Sequence, residues 1–240
     1  MALYEVALTA RETVAEGTMA FHFAKPAGFT HRAGQSLLFT LVNPLETDKG
    51  GDSRTFTIAS APQEPDLMIA TRMRDSAFKR VLKTSPLGMR AKIDGPNGQM
   101  VLHEDASRPA VFLAGGIGIT PFRAMVVHAA HEKLPHRLHL FYSNRRPEDA
   151  AFLAELRQLE RDNPNYRLIA TMTESQKSSH PWSGETDFVG RDMLQRHLPD
   201  LMSPIYYFAG PPAMTTSMQR MLEEIGIEEQ AMRYEEFYGY

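Results

Sequence analysis

The chain has no cysteine among its 240 residues. It therefore forms no disulfide, holds no thiolate-ligated iron–sulfur cluster and carries no cysteine nucleophile. Tryptophan occurs once, and no apolar run reaches the roughly 20 residues needed to cross a bilayer, which excludes a membrane-spanning helix. The first residues, Met-Ala-Leu-Tyr-Glu-Val, lack the basic region and apolar stretch of a secretory leader, so the cytoplasm is the expected compartment. A formal charge of −3 lacks the concentrated basic excess of nucleic-acid binders. No Ser-His-Asp order or metal-ligand set stands out. His128 and His131 sit three apart on an expected helix, with His136 and His139 after them, and without a carboxylate cluster they read as surface residues.

What is present is a globular composition, 42% hydrophobic and 23% charged, in a chain long enough for one large domain or two ordinary ones. The amino half alternates apolar and polar residues over short stretches, as in Met19-Phe21-Phe23 and Leu37-Phe39-Leu41, with turn formers between them. This period turns one face of each strand inward and predicts a small antiparallel barrel over residues 1–106. Asn43 to Asp52 reads as a loop. After Ala106-Ser107-Arg108-Pro109 the pattern becomes buried strand then helix, repeated, which predicts an α/β parallel sheet of Rossmann type over residues 107–240. Its strands are expected at Val111–Ala114, Leu138–Tyr142, Leu168–Met172, Ile205–Phe208 and Met232–Phe237. Met214, Met218 and Met221 fall at helical spacing and read as core packing.

Two short runs carry the chemistry. Arg54 to Ser60 reads R-T-F-T-I-A-S: a guanidinium able to make paired hydrogen bonds to a diphosphate, an aromatic face and a hydroxyl. Taken alone it reads first as an ordinary half-exposed strand, with Phe inward and Arg outward. Gly115 to Pro121 reads G-G-I-G-I-T-P between a strand and a helix, where missing side chains let a pyrophosphate approach backbone N–H groups, and Pro121 suits the first helical turn. Gly34-Gln35, Gly95-Pro96-Asn97-Gly98, Gly210-Pro211-Pro212 and the terminal Glu235-Glu236-Phe237-Tyr238-Gly239-Tyr240 complete an ordered series.

In that order the runs resemble the ferredoxin-NADP reductase-like flavoproteins, over nearly the whole chain. The resemblance implies FAD as cofactor, NADP or NAD as the nucleotide, and hydride transfer from NAD(P)H to the flavin. Electrons would pass on to a separate carrier such as ferredoxin or flavodoxin. The alternatives are a flavin or ferric-chelate reductase with a small-molecule acceptor, and a non-catalytic FAD-binding subunit. It also implies roles. Arg54, Phe56, Thr57 and Ile58 would meet the flavin, with Thr57 at the Ser/Thr position near N5 and Phe56 where the family usually has Tyr. Arg72 and Met73 would line the flavin tail and Ser76 would close its phosphate site, although a helix cap explains Ser76 as well. Gly115, Gly116, Gly118, Thr120 and Pro121 would hold the nucleotide, with Gly210 and Pro211, where Ala209 stands for the family's cysteine. Glu235, Phe237 and Tyr240 would lie near the nicotinamide pocket. Ser143 with Arg145 or Arg146 would suit a 2′-phosphate and favour NADP, and the two arginines read equally as solvated. Between Arg72 and Lys92 seven basic residues face one acid, Asp75, which suggests a docking surface for an acidic carrier.

Overall fold

The computed structural model describes residues 3–238. Six strands form the amino-terminal sheet: β1 (Leu3–Ala15), β2 (Thr18–Ala24), β3 (Ser36–Leu41), β4 (Ser53–Thr57), β5 (Asp66–Arg72) and β6 (Arg90–Asn97). They pair antiparallel in the order β4-β3-β6-β1-β2-β5. The Ala59 N–H bonds the Met68 carbonyl just beyond β4, tying the two ends of the series and curling the sheet into a barrel. Alternation fills its interior: Phe21 and Phe23 from β2, Leu37, Phe39 and Leu41 from β3, and Ile93 from β6 are buried around Phe56. Helix α1 (Ala77–Thr84) closes one end with Phe78 and Leu82.

Strands β1 and β6 have no counterpart in the sequence reading. β1 carries Glu5, Arg11 and Glu12 among its apolar residues, and two irregularities in its register let it pair β6 through residues 3–7 and β2 through 8–15.

The second sheet is parallel, order β11-β10-β7-β8-β9, built from β7 (Ala110–Gly115), β8 (Leu138–Asn144), β9 (Tyr166–Met172), β10 (Ile205–Gly210) and β11 (Met232–Glu236). Helices α2 (Ile119–His131), α3 (Leu153–Asp162), α4 (Arg191–His197) and α5 (Pro212–Glu224) cover it. Central strands β7 and β10 are buried at every residue, as a sheet with helices on both faces requires. Residues 98–109 run between β6 and β7. No helix among the described residues is long and apolar enough to cross a membrane.

The sheets meet through a small apolar seam. β2 and β5 turn Ala20, Met68 and Ala70 away from the barrel core, against Ala59 and Ile117. Beside it Arg123 of α2 donates to the Ala59 carbonyl (2.8 Å), to Glu64 from the loop between β4 and β5 (2.9 and 3.0 Å) and to Glu155 of α3 (2.8 Å). The histidines depart from expectation. His136 is buried with Nε2 on the His103 carbonyl, His128 contacts Gln63 across the seam and His139 is half-buried; His131 alone of the four is exposed. Contacts between distant segments, His136 with residue 103 and His128 with Gln63, account for much of this, and local spacing cannot register them.

Candidate functional site

Two clefts of about 650 Å3 each open where the sheets meet. The first lies between the barrel and β11. Arg54, Phe56 and Thr57 of β4 form one wall, the turn Arg74-Asp75-Ser76 and Lys79 of α1 form another, and Glu235 to Tyr238 close it. Arg54 is held in place: its guanidinium donates to the carbonyls of Gly50, Gly51 and Ser53, stands 3.6 Å from Asp48 and lies over the Phe78 ring at 5.1 Å. Phe56 is only 4% exposed and packs on Phe39 and Phe78, so it presents an edge of the barrel core to the cleft.

The start of α1 is already capped. The Ser76 hydroxyl accepts from the Lys79 N–H (3.3 Å), and Asp48 accepts from the Ala77 N–H (2.8 Å). Two of the free donors at this helix end are therefore occupied. The cap expected of Ser76 is present, and its side chain also lines the cleft.

Glu235 is the ionisable group most changed by its surroundings on β11. Burial pushes its carboxyl up to about 7, because the charged form loses its water there. Burial, followed by Arg74 and Arg54, pushes Lys79 down to about 8.

The second cleft lies at the carboxyl ends of the parallel strands, where open α/β sheets bind ligands. Gly115 and Gly116 after β7, Ser143, Asn144 and Arg145 at the end of β8, Thr173 and Glu174 after β9, and Pro211 and Met214 after β10 line it, with Arg72 and Arg74 from the barrel side. Gly116 has φ of +54°, which favours glycine, and a Cβ on Gly118 would overlap the Ala209 carbonyl of β10. Gly118 thus lets the loop settle onto the sheet. Of the neighbouring arginines only Arg145 lines the cleft; Arg146 is turned into an ionic cluster with Glu16, Glu148 and Asp149. Met214 places its sulfur against Gly115 at the cleft, whereas Met218, which also reaches this cleft, is buried as core.

Of the residues singled out in the sequence, Arg54, Phe56, Thr57, Ser76, Glu235 and Phe237 thus meet in the first cleft, and Arg72, Gly115, Gly116, Ser143, Arg145 and Pro211 in the second. Ile58 is fully buried in the barrel core, and Met73 packs against that core. Thr120 is buried with its hydroxyl on the Ile117 carbonyl, Pro121 lies inside the covered first turn of α2, and Gly210 abuts Gly115; none of these lines either cleft. Tyr240 lies outside the described residues. In the sequence Arg74 and Lys79 stand only as members of a basic run. Helical phase is the available signal for Lys79, which shares a face with Leu82 three residues on.

That run does not make one patch. Arg72, Arg74 and Lys79 face the clefts, Arg80 pairs with Glu46 and Asp75, and Arg90 pairs with Glu5; Lys83 and Lys92 are simply exposed. Among the described residues no group of three or more His, Cys, Asp or Glu is placed to hold a metal ion.

Comparison with known proteins agrees with this geometry. Residues 112–220 match the oxidoreductase NAD-binding domain. The chain is 25% identical over 232 residues to the glycine betaine monooxygenase reductase subunit of Chromohalobacter salexigens, covering 95% of this chain and 62% of that one. It is 26% identical over 196 residues to a subunit of the Na(+)-translocating NADH-quinone reductase of Marinomonas sp., covering 80% of this chain and 46% of that one. The chain thus spans roughly half to two thirds of the length of these relatives. Among solved structures, the ferredoxin reductase in carbazole 1,9a-dioxygenase superposes with TM-score 0.81 at 20% identity, over 99% of this chain and 70% of that one. A ferredoxin NADP+ reductase from Neisseria gonorrhoeae with bound FAD and NADP superposes with TM-score 0.79 at 17% identity, over 98% of both. Residues 112–220 thus carry an oxidoreductase NAD-binding domain, and with the antiparallel barrel before it the chain has the two-domain fold of these ferredoxin reductases.

Proposed function

We propose that the protein is an NAD(P)H-dependent flavin oxidoreductase that holds FAD in the first cleft and the nicotinamide nucleotide in the second. The observation that carries this reading is the convergence of the two runs. Ala59, from the arginine run, and Ile117, from the glycine run, pack in one cluster, and Arg74 lines both clefts. The first cleft suits a flavin dinucleotide chemically: Arg54, Arg74 and Lys79 offer cations to a diphosphate, and Thr57, Glu235 and Phe237 offer hydroxyl, carboxyl and aromatic contacts to a ring system. A flavin supplies the conversion between hydride transfer from a reduced nicotinamide and release of single electrons.

The chain's part is to bind, orient and exclude water. Arg54, already fixed by three backbone carbonyls, meets the diphosphate without first being ordered. Gly115 and Gly116 admit the nucleotide pyrophosphate to the second cleft, and Thr57 and Glu235 offer the first cleft a hydroxyl and a carboxyl. Near neutral pH Glu235 exists in both protonation states, so it can lend or take a proton there.

Ser143 and Arg145 favour NADP. Arg145 offers the second cleft a cation, whereas the carboxylates there are engaged, Asp149 by Arg146 and Glu174 by Lys177. The electron acceptor is a separate carrier of ferredoxin or flavodoxin type; a small molecule is the second reading, favoured by the dispersal of the basic run. Turnover tests both. With FAD and NADPH the protein should reduce ferricyanide, and the rate should vanish without FAD. Absence of turnover with either nucleotide in the FAD-loaded protein contradicts the proposal.

A further inference from the structure

A separate cleft of about 790 Å3 lies along β9, at the edge of the parallel sheet opposite β11, and shares no lining residue with the first two. Alternate residues of a parallel strand address the same neighbour. The Leu168 N–H goes to Glu160 (3.0 Å) and the Met172 N–H to the Glu185 carbonyl (2.9 Å), so Leu168, Ala170 and Met172 turn their backbone away from β8. The chain covers only the carboxyl end of this edge, where Glu185 bridges Thr171 in parallel pairing. Before Glu185 the segment leaves β9, and Trp182 folds back with its indole N–H on the Glu185 carbonyl (2.8 Å). The next place on the ladder lies opposite Ile169, between the Leu168 carbonyl and the Ala170 N–H. No strand among the described residues fills it.

The side chains around that gap are positive. Arg167 reaches the Tyr166 carbonyl (2.9 Å), Arg157 of α3 lies over the Trp182 ring at 5.1 Å, and neither has an ion pair among the described residues. Both carboxylates of the cleft are engaged, Glu160 by the Leu168 N–H and Glu185 by Arg196 and His197 (2.8 Å each). His139 stands beside Arg167 in the β8–β9 register. Burial pushes its imidazole below the ordinary value, and Arg137, Arg167 and His197 push it further down. An arriving anion therefore meets uncompensated positive charge, and an arriving main chain meets an unfilled ladder place. A small anion would use only the first; an extended acidic peptide uses both.

We propose that the outer edge of β9 is a docking groove for an extended acidic segment of a partner protein, which adds as a parallel strand on Leu168 and Ala170 with its carboxylates on Arg157 and Arg167. Trp182 walls the groove. Open sheet edges are templates for such pairing, and here the surrounding charge selects one sign of partner. The site does not depend on what the other two clefts bind, and a segment seated on it leaves both of them open.

Trp182 is the sole tryptophan of the chain, so its emission reports on this groove. The probe is an acetylated octapeptide of alternating Glu and Val, titrated into the purified protein beside an octapeptide of alternating Lys and Val and free N-acetylglutamate. The Glu peptide should change the emission saturably and bind more weakly as salt rises from about 0.1 M to about 1 M, and the other two should give no saturable change. Replacing both arginines, Arg157→Gln with Arg167→Gln, should weaken the Glu peptide roughly tenfold. Ala170→Pro removes an N–H that faces away from β8, where an edge strand tolerates proline, and should abolish binding at an unchanged thermal melt. Absence of a saturable change with the Glu peptide, equal binding of the Lys peptide, or undiminished binding by the double arginine variant or by Ala170→Pro overturns the proposal. Saturation by N-acetylglutamate at the same concentration overturns it in favour of a small-anion site.

Discussion

Glu235 lines the first cleft at the expense of the fold. Its carboxyl lies above its ordinary value of 4.5, at about 7, because it is buried. Below pH 4.5 it is protonated in both folded and unfolded chains and costs nothing; the penalty grows as pH rises and is complete above 7. Glu235→Gln should therefore stabilise the flavin-free protein at pH 8 by up to about 3 kcal/mol and leave it unchanged at pH 4. Urea denaturation at the two pH values measures this, and equal stabilisation at both would contradict the assignment to burial. Nucleotide-driven reduction in the loaded variant should slow, since an amide cannot exchange the proton. Gly118 gives a second prediction. Gly118→Ala sets a methyl group into the Ala209 carbonyl, so the glycine loop must lift from β10. The expected result is a loss of about 1–3 kcal/mol with weaker nucleotide binding, read from thermal melts and equilibrium titration.

At the scale of elements, the link between barrel and parallel sheet depends on α2. Arg123 is 7% exposed at its side chain and shared by Glu64 and Glu155, which come from opposite sides of the seam. Burial alone would raise Glu64, but the hydrogen bonds and charge of Arg123 outweigh it and hold the carboxyl below its ordinary value. Arg123→Met leaves two carboxylates facing each other and should cost about 3–5 kcal/mol. Differential scanning calorimetry should also show the single transition broaden or split as the two sheets uncouple; an unchanged melt would mean the apolar seam suffices. Such long-range pairs are illegible in the sequence because Arg123, Glu64 and Glu155 lie far apart along the chain. The elements differ in legibility for similar reasons. β2 and β3 alternate cleanly and are readable, as is the strand-and-helix alternation after Pro109. β1 and β6 mix charges into their faces and are not, and β6 also ends through Gly95 and Pro96. Arg145 and Arg146 are neighbours with identical side chains, and only the turn after β8 decides that one lines a cleft and the other an ion cluster.

For the whole molecule, what matters is that the two clefts share Arg74 and lie near one seam. The motif order makes the two-domain plan readable, because each run needs its own local backbone: a strand for Arg54 and a strand-to-helix turn for Gly116. How the runs touch follows only from the packing of Ile117 on Ala59, Met68 and Ala70, an apolar contact with no sequence signature. Widening that seam should slow nucleotide-to-flavin transfer without weakening either ligand. Ile117→Ala is expected to lower the transfer rate severalfold at unchanged dissociation constants, measured by stopped-flow absorbance.

The most direct measurement is the visible spectrum of the FAD-loaded protein, with oxygen excluded, during separate titrations with NADPH and NADH. Bleaching of the flavin band that is complete near one equivalent of nucleotide, with NADPH acting at the lower concentration, is the predicted result. A flavin band that neither nucleotide bleaches would contradict the claim that the two clefts form one reducing site.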